Sequence, residues 1–128
     1  MAGFAGLLLA AGAGSRFGRP KALVPFAGVP LAQRGAGMLA AAGCDPVLVV
    51  LGAAAEEVRA AAVLSPARVV RNPDWASGLA SSLRAGLAAL PPGVAAVVVA
   101  LADQPLAGAP VVRALRAAFD SGAQLAVA

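Results

Sequence analysis

Three polar clusters interrupt this apolar chain, and each directly follows a run fit for a buried strand. The first is Gly12-Ala-Gly14-Ser15-Arg16-Phe-Gly-Arg19-Pro-Lys21, and no acid lies anywhere between Met1 and Gly43. Cations on a glycine-broken stretch, where backbone N–H groups can approach closely, suit a polyanion, and a nucleoside triphosphate is the obvious one. The second cluster is Asn72-Pro-Asp-Trp-Ala-Ser-Gly78-Leu-Ala-Ser81-Ser82-Leu-Arg, whose amide and hydroxyls can donate and accept near a base or ribose. The third is Asp103-Gln-Pro, the carboxylate standing at the end of Val97-Val-Val-Ala-Leu-Ala102. An acid in that position needs a partner. Mg²⁺ is an economical one, because it takes one or two carboxylates together with substrate phosphates.

Two familiar glycine loops do not fit. A Walker loop needs four residues between its first glycine and Gly-Lys-Ser/Thr, whereas Pro20 precedes Lys21 here. The dinucleotide fingerprint needs a third glycine where this chain has Phe17, and an acid about twenty residues further on, which is missing. The chain has no histidine, which excludes a Ser-His-Asp triad, a histidine–zinc site and histidine acid–base work. Cys44 stands alone, so there is no disulfide within the chain, and a buried structural thiol is expected.

The pattern that remains, Leu-Ala10-Ala11-Gly-x-Gly-x-Arg-Phe-Gly-x-Pro-Lys, resembles the signature of the MobA-like nucleotidyltransferases. The Ala10-Ala11 pair is most similar to the molybdenum-cofactor cytidylyltransferase branch. The Asn72–Arg84 and Leu-Ala-Asp103-Gln-Pro passages resemble the family's nucleoside-recognition and metal-binding motifs, and the three motifs stand in the family's order. The resemblance implies transfer of a nucleoside monophosphate from a triphosphate, CTP above all, to a phosphate-bearing acceptor such as molybdopterin, with release of pyrophosphate. It implies catalytic roles for Arg16 and Lys21. Leu9, Ala10, Ala11, Gly12, Gly14, Ser15, Asn72, Gly78, Ser81 and Ser82 are the implied nucleotide-binding residues, and Asp103 the ligand for Mg²⁺. A sugar- or alditol-phosphate nucleotidyltransferase and a catalytically silent nucleotide-binding module are the alternatives. Family members continue through strands and helices that bind the acceptor and supply another metal-binding acid. After Asp103 this chain has only Asp120, so a completing chain or a homo-oligomer is a further expectation.

The elements that must position these clusters follow from periodicity. Phe4 to Ala10 reads as a first strand. Val24 to Gly28 reads as a short extended passage and turn, with Pro30 opening a helix that Gly43 stops. Pro46 to Leu51 is a continuous apolar run, as in a parallel strand covered on both faces. Ala53 to Ala62 reads as helix, Ala67 to Arg71 as strand, and Ser77 or Gly78 to Leu90 as helix ended by Pro91-Pro92-Gly93. Val94 to Leu101 reads as strand, Pro110 to Ser121 as helix, and Gln124 to Ala128 as the opening of another strand. Alternation of this kind predicts one α/β domain over 1–128, with a doubly wound, mostly parallel sheet. The resemblance refines this to a three-layer Rossmann-like fold of the nucleotide-diphospho-sugar transferase type, with the C-terminal part of the family fold absent. All three polar clusters fall at the carboxyl ends of strands, where open α/β sheets bind ligands.

Composition narrows the partners. At 128 residues the chain suffices for one domain with a core. Net charge is +4, but there is no Tyr and one Trp, so aromatic platforms for nucleic acid are scarce. Nine of the basic residues are arginine; Lys21 is the single lysine, a hint that its position calls for a compact ammonium. Glycine and proline break every apolar stretch before it reaches membrane-spanning length. The N-terminal run lacks a basic flank and leads into the cationic loop, so a strand of a cytoplasmic protein is expected in place of a signal peptide.

Overall fold

The computed structural model describes residues 3–11, 23, 25–26, 28–53, 55–102, 110, 113–114 and 117. Four parallel strands form the sheet: β1 (Gly3–Leu9), β4 (Val47–Leu51), β5 (Arg68–Arg71) and β6 (Val94–Leu101), in the spatial order β5-β4-β1-β6. A short antiparallel ribbon, β2 (Pro25–Phe26) and β3 (Val29–Pro30), turns at Gly28 and leads into α1 (Leu31–Ala41). The chain steps outward from β1 through α1 to β4, then through α2 (Ala55–Ala61) to β5. It then crosses back through α3 (Leu79–Ala88) to lay β6 on the other side of β1. The strand order therefore reverses beside β1, as in a Rossmann-type sheet.

Strand alternation divides the core into two layers. Leu8, Val49 and Leu51 face one side with Ala32, Ala36 and Leu39 of α1 and Ala55 and Val58 of α2. Leu7, Leu9, Leu48 and Val50 face the other, against Leu83 of α3 and Leu90 beyond it. The expected doubly wound, three-layer arrangement is what forms. Every residue of β4 is buried, because it lies between β1 and β5 with helices on both faces.

Local chemistry explains the boundaries. Pro30 occupies the N-cap of α1. At the other end Gly43, with φ 90°, donates to the Ala40 carbonyl, and Cys44 donates to that of Leu39. This paired closure of a helix end needs a left-handed residue, which glycine supplies. Cys44 is buried, as expected. The helices approach β1 closely: a Cβ on Gly35 of α1 would stand 2.7 Å from Leu8 Cδ1, and one on Gly86 of α3 would overlap the Leu7 side chain. The expected helix over Ser77–Leu90 is shorter at both ends, since Trp75–Ser77 forms a separate 3₁₀ turn and the helix stops at Ala88. Pro110, Arg113, Ala114 and Ala117 are helical, within the helix expected at 110–121. The strand expected at 124–128 lies outside the described residues.

Candidate functional site at the carboxyl end of the sheet

Beyond the strands proper, backbone bonds tie the strand ends together. Ala10 donates its amide to the Val50 carbonyl at 2.9 Å, and Ala53 donates to Ala11 at 3.1 Å. Asn72 donates to Leu51 at 2.7 Å, and Ala102 donates to Leu9 at 3.1 Å. Asn72 and the residues that precede the other two clusters in sequence, Ala11 and Ala102, are thus tied together at one end of one sheet. Leu9, Ala10 and Ala11 are buried where β1 ends, and their small or apolar side chains leave only backbone groups to offer a ligand. The Leu9 and Ala11 carbonyls and the Ala10 amide are already engaged with neighbouring strands. Gly12, Gly14, Ser15, Arg16, Arg19 and Lys21 follow and lie outside the described residues. So does Asp103, next in sequence to Ala102, whose amide is anchored on the end of β1.

The Asn72 cluster is fully described, and it is built inward. Asn72, Ser81 and Ser82 are the buried polar side chains among the described residues, at 3%, 7% and 2% exposure. Asn72 Nδ2 donates to Ser81 Oγ at 2.9 Å and to Ser82 Oγ at 3.0 Å. Its Oδ1 accepts the Asp74 amide at 3.0 Å, an Asx turn that starts the loop. Ser81 Oγ reaches two acceptors, the Asp74 carbonyl at 2.9 Å and the Gly78 carbonyl at 2.8 Å. One asparagine therefore holds both ends of the 72–82 segment. Buried polar groups satisfied in this way specify a single loop geometry. No buried side-chain nitrogen or oxygen among the described residues lacks a partner. Gly78, exposed and with φ 112°, turns the backbone into α3 in a conformation that disfavours any side chain.

The sequence-predicted residues thus separate into two kinds. Asn72, Ser81 and Ser82 are brought together, with their polar atoms directed at one another and at the loop backbone. Gly78 and the β1 end present backbone. One pairing escaped sequence reasoning: Trp75, half-buried, sits against Gly52 at the end of β4. Gly52 reads in sequence only as a strand terminator, and nothing in the spacing couples it to a residue so far along the chain. Arg71 and Glu56 form an exposed ion pair near the same edge. Among the described residues no group of three or more His, Cys, Asp or Glu side chains could hold a metal. No helix among the described residues is long and apolar enough to cross a membrane.

Comparison with known proteins agrees with this fold. The family model of the MobA-like NTP transferase domain matches residues 6–128. Nicotine blue oxidoreductase of Paenarthrobacter nicotinovorans is 50% identical over 101 residues, which is 78% of this chain and 49% of that protein. 2-C-Methyl-D-erythritol 4-phosphate cytidylyltransferase of Nocardia farcinica is 42% identical over 88 residues, 66% of this chain and 38% of that one. Among solved structures, Rv0371c of Mycobacterium tuberculosis superposes with a TM-score of 0.83 at 32% identity, covering 94% of this chain and 61% of that one. A structure of Rv0371c in complex with manganese superposes at 0.79 with 30% identity, covering 93% and 60%. The chain therefore spans about half of the first of these relatives, at 49%, and 61% of the solved chain.

Proposed function

This chain belongs to the family of MobA-like NTP transferase domains, and on that premise we propose that it forms the nucleotide-binding part of a nucleotidyltransferase. The observation that carries the reading lies beside the strand-order reversal: Ala11 and Ala102, which precede the first and third polar clusters in sequence, and Asn72, which opens the second, are each bonded to a neighbouring segment at the carboxyl end of the sheet. CTP is the proposed donor and molybdopterin the proposed acceptor. An acceptor phosphate oxygen attacks the α-phosphorus in line; the new P–O bond forms as the bond to the β-phosphate breaks, and pyrophosphate leaves. Arg16 offers a forked donor to the β- and γ-oxygens, and Lys21 a point charge at the α-phosphate and leaving oxygen. Backbone groups after Leu9 and around Gly78 hold the nucleoside, and the Asn72–Ser81–Ser82 cluster fixes the turn that presents them.

A divalent cation at Asp103, Mg²⁺ in this proposal, would neutralise charge on the phosphates. Support for a divalent ion comes from the manganese complex of Rv0371c. Support for a cytidine donor comes from the Nocardia cytidylyltransferase, which also makes an alditol phosphate the alternative acceptor.

The test is calorimetric titration with CTP, GTP and ATP, each with and without Mg²⁺, followed by pyrophosphate release with either acceptor. Mg²⁺-dependent preference for CTP and release with molybdopterin are the expected results. Failure to bind any triphosphate rejects the reading. A second reading, an oxidoreductase, is favoured by the 50% identity to nicotine blue oxidoreductase. Against it stand Phe17 in place of a fingerprint glycine and the missing acid downstream. Binding of a reduced nicotinamide dinucleotide in place of triphosphates would establish that second reading.

A further inference from the structure

Trp75 is the single tryptophan of the chain, and the proposed chemistry assigns it nothing. It opens the 3₁₀ turn Trp75–Ser77 between β5 and α3. Its side chain rests on Gly52, the residue immediately after β4. A Cβ at position 52 would overlap Trp75 Cβ and stand 2.7 Å from its Cγ and 2.9 Å from its Cδ1. Any side chain at position 52 would therefore push the indole away. The next residue, Ala53, donates its amide to the Ala11 carbonyl at 3.1 Å. The two-residue segment Gly52–Ala53 thus touches both the Trp75 turn and the point where the glycine-rich loop leaves β1. The Trp75 carbonyl accepts the Gly78 amide at 3.2 Å, which links the same turn to the entry of α3.

We infer that Trp75 is a positioning residue: seated on Gly52, it keeps the Asn72–Gly78 turn in register with the end of β1, so that the backbone of the turn and the backbone of Ala10–Ala11 act on one ligand. The inference rests on the nucleotide-binding reading above. It differs from simple core filling, because Trp75 is only half-buried and lies outside both hydrophobic clusters. The side-chain bonds of Asn72 fix the turn internally, and its amide bond to Leu51 ties the first residue of the turn to the end of β4; the rest of the turn needs a second attachment further along. That second attachment comes from an aromatic side chain whose seat exists only because position 52 lacks a Cβ.

Three substitutions and one spectroscopic signal test this. Trp75→Ala should weaken triphosphate binding about tenfold while turnover of the saturated protein changes less than about threefold, and Trp75→Phe should recover binding to within about twofold. Gly52→Ala should reproduce the loss with Trp75 emission moved to longer wavelength, and adding Trp75→Ala to it should cost no more than about twofold, because both changes break one contact. In the unsubstituted protein, Trp75 emission should change as CTP is titrated, which keeps the test open even if a variant folds poorly. Calorimetry run in parallel separates the two ideas. Binding without an emission change, wild-type affinity in Trp75→Ala, or additive losses in the pair would overturn the positioning role and leave the nucleotide reading standing. No calorimetric binding at all would overturn both.

Discussion

Two ends of the candidate site do opposite things with their polar groups. After β1 the chain concentrates Arg16, Arg19 and Lys21 within a few residues and supplies no acid to neutralise them. After β5 it buries an amide and two hydroxyls and satisfies them within the segment itself. Cations with no acid near them in sequence are suited to act on a ligand. A closed hydrogen-bond cluster is suited to hold backbone still while something else is bound. Substitutions at the first end should therefore appear in turnover and leave stability nearly unchanged, and substitutions at the second should do the reverse.

The largest effect is expected at the cationic end. Lys21→Ala should lower turnover by about 100-fold or more, the usual consequence of removing one donor from a developing oxyanion. Its unfolding free energy should stay within about 0.5 kcal/mol of the parent. A matching loss of stability in a denaturant titration would collapse the distinction between the two ends. Asn72→Ala should show the mirror image, costing about 2–3 kcal/mol in the same titration, because the Asp74 amide and the Ser81 and Ser82 hydroxyls lose their shared partner. An unfolding midpoint equal to the parent's would mean that the cluster does not hold the loop.

Asp103→Asn should remove the metal-dependent part of triphosphate affinity, about tenfold, while affinity without metal is kept. Retained metal dependence would place the cation elsewhere. Ser82→Ala should cost about 1 kcal/mol of stability, since Asn72 Nδ2 keeps its bond to Ser81 Oγ. The smallest effect is expected at Glu56→Gln. Its pair with Arg71 is more than half exposed on both sides, at 56% and 73%, and its loss should be worth less than about 0.5 kcal/mol.

Much of the fold could be read from residue types, and the reasons are specific. β4 is a short run of Val and Leu with no polar position, a pattern that suits only a strand covered on both faces. Gly43 closes α1 through bonds that its position in the sequence announces. β6 shows what composition cannot distinguish. Its run of Val and Ala resembles that of β4, yet Val99 is 44% exposed. Hydropathy reports which residues can be covered; the neighbours that cover them are set by topology. The start of α3 was displaced for a similar reason, because Asn72, Ser81 and Gly78 draw Trp75–Ser77 into a tighter turn ahead of the helix. The residue types at Asn72, Ser81 and Ser82 mark a polar site. That their atoms point at one another depends on a fold that brings the end of β5 to the first turn of α3, which no local spacing encodes.

Gly35 and Gly86 lie on opposite layers, yet the space a Cβ would need at each is taken by consecutive residues of one strand, Leu8 and Leu7. β1 is therefore gripped from above and below at nearly the same level, two and three residues before the chain becomes Ala10-Ala11. In amide hydrogen exchange, Leu7 and Leu8 should be among the slowest positions, opening only when the whole domain unfolds. The point at which the chain leaves β1 is thereby held still. A ligand that reaches Ala10 and Ala11 would meet backbone whose position does not wander.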